Sequence, residues 1–168
     1  LVSASILMVL AMGQQLVISV AGIDLSVGSN LPWAAATLGF AYTNGANLAV
    51  AMLLALVASG LVGLLNGLLV ARLGMTDFIV TLGSLSVVSG ATLLLTGGNT
   101  VAVSSPFMQG LALDGVGPVR WFWLVAIIAA LLTAFLLFKT KTGTHLLATG
   151  GNLEAARGTG INVARTRM

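Results

Sequence analysis

Leu48-Ala-Val-Ala-Met-Leu-Leu-Ala-Leu-Val-Ala-Ser-Gly-Leu-Val-Gly-Leu-Leu-Asn-Gly-Leu-Leu-Val-Ala71 carries no charged residue between Asn47 and Arg72. As a helix rising about 1.5 Å per residue, it is long enough to cross a hydrocarbon core of roughly 30 Å. No water reaches the backbone there, so a spanning segment satisfies its own hydrogen bonds as a helix or joins a closed barrel. The stretch has none of the period-2 alternation of a barrel strand, and helix is the reading that remains. Outward from it, further apolar runs of similar kind predict spans near residues 1–21, 25–42, 48–71, 78–96 and 121–138. The connectors at 22–24, 43–47 and 72–77 are short and rich in Gly, Asn and Asp, as turns are. Residues 97–120, bearing Gly, Ser and Pro, read as an outer loop. The expected fold is all-α, a polytopic transmembrane helix bundle in 1–138, followed by a more polar segment in 139–168.

Composition agrees. Of 168 residues, 58% are hydrophobic and 7% charged, and the mean hydropathy is +1.08. A water-soluble domain is excluded, and membrane lipid is the expected surrounding. The absence of cysteine removes any disulfide or thiolate metal site. The net charge of +3 comes mainly from the C-terminal thirty or so residues, which reports orientation before it reports nucleic acid, and no nucleic-acid partner is expected. With the C-terminal segment cytoplasmic, Arg72, Lys139, Lys141, Arg157, Arg165 and Arg167 lie inside and Arg120 alone outside, as the positive-inside rule requires. Trp121 and Trp123 then mark the outer interface. The chain starts at Leu1 inside a hydrophobic run, without a preceding basic region, and is expected to be a fragment of a longer protein.

Polar residues inside the apolar runs are the candidates for a translocation path: Gln14, Gln15, Asp24, Ser26 and Asn66. An acid at the centre of a membrane helix costs about 2.5 to 3.5 kcal/mol on insertion scales, so Asp24 belongs at an interface, on a helix cap or beside a protein-lined cavity. Either Asp24 or Ser26 caps the next helix, or the 22–30 break borders a path; the two readings are compatible. Gln14 and Gln15 either glue helices together or line a pore, and Asn66 reads more readily as structural. The fourth run holds Thr81, Ser84, Ser86, Ser89, Thr92 and Thr96, whose hydroxyls either bond their own backbone or offer a polar face at Ser89, Thr92 and Thr96. Ala51, Ala55, Ser59, Gly63, Gly67 and Ala71, four apart, form a small-residue ridge suited to close helix packing.

Gly150-Gly-Asn-Leu-Glu-Ala-Ala-Arg-Gly-Thr-Gly-Ile-Asn162 is of another kind. Gly150-Gly151 breaks the chain, Asn152 can cap, Glu154 suits a first helical turn, Arg157 pairs with it at i, i+3, and Gly158 and Gly160 end the element. A stub this short is unstable alone in water and is expected to be held by something else; a plain surface turn is the alternative. Catalytic searches fail: His145 is the only histidine, and the Lys-Thr pairs at 139–142 lack the glycine that a phosphate-binding loop requires before the lysine. No catalytic residue, cofactor or metal site is expected.

Four motifs in order, Ala21-Gly-Ile-Asp-Leu-Ser-Val-Gly28, Leu65-Asn-Gly-Leu-Leu-Val-Ala71, Phe78-Ile-Val-Thr-Leu-Gly83 and Ala148-Thr-Gly-Gly-Asn-Leu-Glu-Ala-Ala-Arg157 with Gly160-Ile-Asn-Val163, carry a resemblance over essentially the whole chain. The chain resembles the ribose-type permease subunits of bacterial ABC sugar importers, within the branched ABC importer permease family. Asp77, Ser89 and the Gly158-Thr159 pair depart from the usual pattern. The resemblance implies a multi-pass inner-membrane subunit that pairs with a second permease copy as a homodimer and receives a pentose or hexose from a periplasmic sugar-binding protein. It further implies that a cytoplasmic ATP-binding subunit drives alternating access, with Asn152, Leu153, Glu154, Ala155, Ala156, Arg157 and Gly158 as the coupling helix. Such permeases have more spans, one upstream and several downstream. A passive channel or membrane scaffold is the rival reading; it leaves the charged stub without a purpose. An intramembrane hydrolase would have only His145 as an obvious base.

Overall fold

The computed structural model describes residues 2–116 and 119–168. Helices dominate, and the architecture is all-α and of polytopic membrane type. Among the described residues three helices, Leu48–Ala71, Asp77–Thr96 and Trp121–Lys139, are long and apolar enough to cross a membrane. Their large side chains face outward: Leu94 is 85% exposed and Leu56 72%. In water such a surface would drive aggregation, whereas lipid tails solvate it.

The chain divides into two compact units. One comprises Asp24–Ser105 together with Met168. Within it α2 (Val27–Thr43) packs against both α3 (Leu48–Ala71) and α4 (Asp77–Thr96). Apart from Asn66 on α3, the buried positions are small or β-branched: Ser29, Ala36 and Gly39 on α2, Ala51 and Ala55 on α3, with Val80, Thr81 and Val88 on α4. Small side chains let backbones approach, and van der Waals contact is the main attraction between helices in lipid. The predicted ridge on α3 is therefore used at its first half, while Gly63 near its other end faces open space. Asn47 caps α3, its side chain accepting from the Val50 amide at 2.9 Å. Gly97 ends α4 at φ 59, the left-handed geometry that favours glycine.

The other unit comprises the segment ending at Ile23 and Pro106–Arg167. Here α1 (Val2–Ile18) packs on α6 (Trp121–Lys139), and α6 is followed by α7 (Lys141–Gly151), α8 (Leu153–Gly158) and α9 (Val163–Thr166). A short helix, α5 (Pro106–Leu113), and a two-residue antiparallel ribbon, Gly115–Val116 with Val119–Arg120, occupy much of the stretch that reads as an outer loop. Pro106 at the first helical position explains why a loop-like sequence starts a helix, since its fixed φ suits that place and its missing amide would have no partner there.

Two further differences from the sequence reading concern helix ends. Helix α1 stops at Ile18, and Ala21 takes a left-handed φ of 55 in the turn that follows. The Gly22 amide bonds the Val17 carbonyl across that turn at 3.0 Å, which holds the unusual conformation in place. Helices α1 and α2 are 17 residues each, shorter than the 21 and 18 positions the apolar runs suggest. Gly150-Gly151, expected as a break, forms the last two residues of α7, and the chain turns extended one position later, at Asn152.

Candidate functional site: a buried polar relay and a capped surface helix

The chain between α1 and α2 leaves lipid-like sequence at Gly22 and re-enters it at Val27, and its polar atoms need partners there. Asp24 Oδ1 accepts from the Ser26 amide at 2.8 Å and from the Ser26 hydroxyl at 2.6 Å. This turn serves the entry to α2, for Ser26, the residue at the cap position, makes no side-chain cap bond of its own. The Ser26 oxygen instead accepts from Asn66 Nδ2 at 2.9 Å, and Asn66 Oδ1 accepts from the Ser84 hydroxyl. A relay thus runs Asp24, Ser26, Asn66, Ser84 and ties the start of α2 to α3 and α4. Ser26 and Asn66 are 2% and 6% exposed. Asn66 lies five residues before the end of α3, about 8 Å along the axis, so the relay sits near one end of the unit and not at mid-span.

The structure therefore brings together three of the sequence candidates, Asp24, Ser26 and Asn66, and adds Ser84. Gln14 and Gln15 lie on α1 in the other unit, half-buried and exposed respectively. The remaining hydroxyls of α4 mostly turn back on their own helix. Thr81, Ser86, Thr92 and Thr96 donate to the carbonyls of Asp77, Leu82, Val88 and Thr92. That removes the polar face imagined at Ser89, Thr92 and Thr96 and leaves Ser84 as the residue that reaches across. No local signal in the sequence separates Ser84 from its neighbours; only its opposition to a buried amide does.

The second feature is α8. The Asn152 side chain accepts from the Ala155 amide at 3.0 Å and caps the helix. Ala156 turns inward at 3% exposure, against the α7 and α9 side of the unit, while Glu154 and Arg157 face outward and pair at 3.1 Å. An ion pair this exposed contributes little to stability, typically about 0.2 to 1 kcal/mol. At the far end the Thr159 hydroxyl donates to the Ala156 carbonyl at 2.9 Å, and Gly160 turns the chain at φ 84. A one-turn helix is thereby closed at both ends and seated on its neighbours through one small residue, with both charges left on the outside.

Neither arrangement supports bond-making chemistry. Among the described residues no group of His, Asp and Glu has the geometry to hold a metal ion. The relay is built of hydroxyls, one amide and one acid, which can recognise neutral polar groups and can transmit a shift of α2 to α3 and α4.

The chain is 39% identical over 169 aligned positions to the "Autoinducer 2 import system permease protein LsrC" of Enterobacter sp. (strain 638), covering 99% of this chain and 48% of that protein. The proteins of the same name from Salmonella paratyphi B and Yersinia pestis (strain Pestoides F) are 38% and 37% identical, again over 99% of this chain and 48% and 47% of theirs. The chain spans about half the length of the curated relatives it matches. No solved structure matches. Across residues 1–168 the sequence fits the family described as "Branched-chain amino acid transport system / permease component", and the chain belongs to that family.

Proposed function

We propose that this chain is part of a permease subunit of an ATP-driven importer in the bacterial inner membrane, and that α8 is the element through which a cytoplasmic ATP-binding subunit drives it. The observation that carries this reading is α8 itself. A helix of one turn has no stability of its own. This one is nonetheless capped, seated by Ala156 and left with Glu154 and Arg157 outward, the form of a contact surface and not of a core element. Residues 152–158 are thus the coupling helix. A second permease copy and a periplasmic binding protein complete the importer, which works by alternating access. ATP binding shifts the equilibrium only through a contact that differs between the two access states, and α8 supplies it.

The solute is a small neutral hydroxylated molecule of sugar type. The relatives are named as autoinducer 2 importers, while the family description speaks of branched-chain amino acids. An amino acid brings a carboxylate, whose recognition calls for a fixed positive group or a helix N-terminus. Helices α2 and α3 and the span of α4 contain no Lys or Arg, the N-terminus of α2 already carries the Asp24 carboxylate, and the relay among these helices offers hydroxyl and amide groups. Asp24, Ser26 and Asn66, with Gln14 and Gln15, remain the candidates for the path.

The test is co-purification of the full-length permease with its ATP-binding subunit, followed by uptake in reconstituted vesicles. Charge reversal at both α8 positions, Glu154→Arg with Arg157→Glu, is expected to release the ATP-binding subunit and abolish ATP-dependent uptake of a pentose or hexose while leaving the permease folded. Full retention of the subunit in that double variant refutes the coupling role. Uptake of leucine in preference to every sugar-type solute refutes the substrate class.

A further inference from the structure

The cytoplasm-directed segment holds a cleft that the coupling role does not use. It lies between α7 and the corner joining α8 to α9, has a volume of about 530 Å³, and is lined by Thr142, His145, Thr159, Asn162, Arg165 and Thr166 together with Gly160 and the one apolar residue, Ile161. No acidic side chain lines it. The single acid of 139–168, Glu154, is already paired with Arg157 outside the cleft.

The donors are what distinguish it. Thr159 and Thr166 donate to the carbonyls of Ala156 and Asn162 and are spent. The Asn162 carbonyl oxygen Oδ1 accepts from the Arg165 amide, which fixes the amide plane and leaves its NH2 group available. The Arg165 guanidinium, the His145 ring and the Thr142 hydroxyl take part in no hydrogen bond or ion pair among the described residues. Four kinds of donor therefore surround one space in which no carboxylate competes. A planar guanidinium beside an amide and a hydroxyl is the donor set that a tetrahedral oxyanion satisfies, two oxygens to the arginine fork and the others to the flanking groups.

We propose that this cleft binds a phosphate group, either free or at the headgroup of an anionic phospholipid. The proposal concerns a site separate from α8 and stands whether or not the coupling role does. Lys139 and Lys141, where α6 passes into α7, add positive field at the same end of the segment. A phosphate bound there clamps α7 to the α8–α9 corner and thereby sets how firmly α8 is held.

The experiment uses the full-length permease in two preparations at matched ionic strength. In detergent, inorganic phosphate is titrated against chloride; in lipid nanodiscs, phosphatidylglycerol with phosphatidylcholine is compared with phosphatidylcholine alone. The readout in each is the thermal unfolding midpoint. A rise with phosphate identifies the free anion, and a rise only with phosphatidylglycerol identifies the headgroup. Either response is expected to weaken by roughly tenfold in apparent affinity in Arg165→Gln, the size of losing a charge-assisted pair, and to survive in Arg157→Gln, which lies outside the cleft. His145→Gln and Thr142→Ala, both at exposed positions, serve as second variants should Arg165→Gln fail to fold. No rise in either preparation overturns the proposal. So does a rise that is the same in all variants, which reports bulk charge screening, and so does loss of the ATP-binding subunit from Arg165→Gln without any phosphate response, which makes the cleft a protein-docking surface.

Discussion

Asn66 holds three helices together with one side chain. Its amide donates to Ser26 at the start of α2 and accepts from Ser84 on α4, and at 6% exposure it has no alternative partner in water. Asn66→Leu keeps approximate volume but removes both bonds and strands the Ser84 hydroxyl. The expected loss is about 1 to 3 kcal/mol, allowing that membrane hydrogen bonds average near 0.6 each and unpaired buried groups add to that. Ser84→Ala is expected to lose less, since Ser84 is half-buried and Asn66 keeps its bond to Ser26. Unfolding in mixed detergent micelles measures both, and an Asn66→Leu variant as stable as the parent would show the relay to be incidental. Part of this site is legible in the sequence. Asp24 and Ser26 interrupt an apolar run, and Asn66 is a solitary amide, so each stands out alone. Their connection does not, because Ser26 and Asn66 are 40 positions apart and no periodicity links them. Ser84 is hidden for a different reason: it sits among hydroxyls that bond their own backbone, and composition cannot tell the one that crosses from those that do not.

At the scale of elements, the same limit appears in α7. A Gly-Gly pair ordinarily argues for a helix end, and the sequence reading puts a break at 150–151. Helix α7 includes both glycines and ends at Gly151, and Gly150 packs directly against the turn that ends α1: a Cβ there would lie 2.2 Å from the Ser19 carbonyl oxygen. The glycine is present for close approach and not for a left-handed turn, two demands that leave one signature in sequence. Gly150→Ala is therefore expected to destabilise the α1–α7 contact by about 1 to 3 kcal/mol, as overpacking does. Gly151→Ala, with nothing within 4 Å, should be neutral or stabilising by up to about 1 kcal/mol from helix propensity. Limited proteolysis and thermal unfolding of the two variants separate these outcomes; equal effects would remove the packing explanation. The long apolar helices were readable because hydropathy and length suffice for them. Helices α5 and α7 were not, since α5 is only two turns long and α7 is short and polar, and both depend on what they pack against.

For the whole molecule the governing quantity is where the positive charge falls relative to the long apolar helices. Lys139 closes α6 and Lys141, Arg157, Arg165 and Arg167 follow it, whereas Arg120 precedes it. Each basic residue near an anionic cytoplasmic leaflet gains about 1 kcal/mol, and translocating such a segment is disfavoured during insertion. The proposed orientation puts 139–168 in the cytoplasm, and α6 then starts outside, with Trp121 and Trp123 at the outer interface. Counting back through α4 and α3, 97–105 is outside, 72–76 inside and 43–47 outside. The chain contains no cysteine, so single cysteines can be introduced without removing any. Cysteines replacing Asn44 and Ala102, both exposed, should react with a membrane-impermeant maleimide in intact cells. Those replacing Leu73 and Ala164, also exposed, should react only after permeabilisation. Labelling at position 164 from outside would leave α8 on the wrong side of the membrane to meet an ATP-binding subunit, and the driving mechanism would fail with it. Labelling at position 44 only from inside would leave that mechanism intact and instead mean that α3 does not cross as its length and hydropathy require.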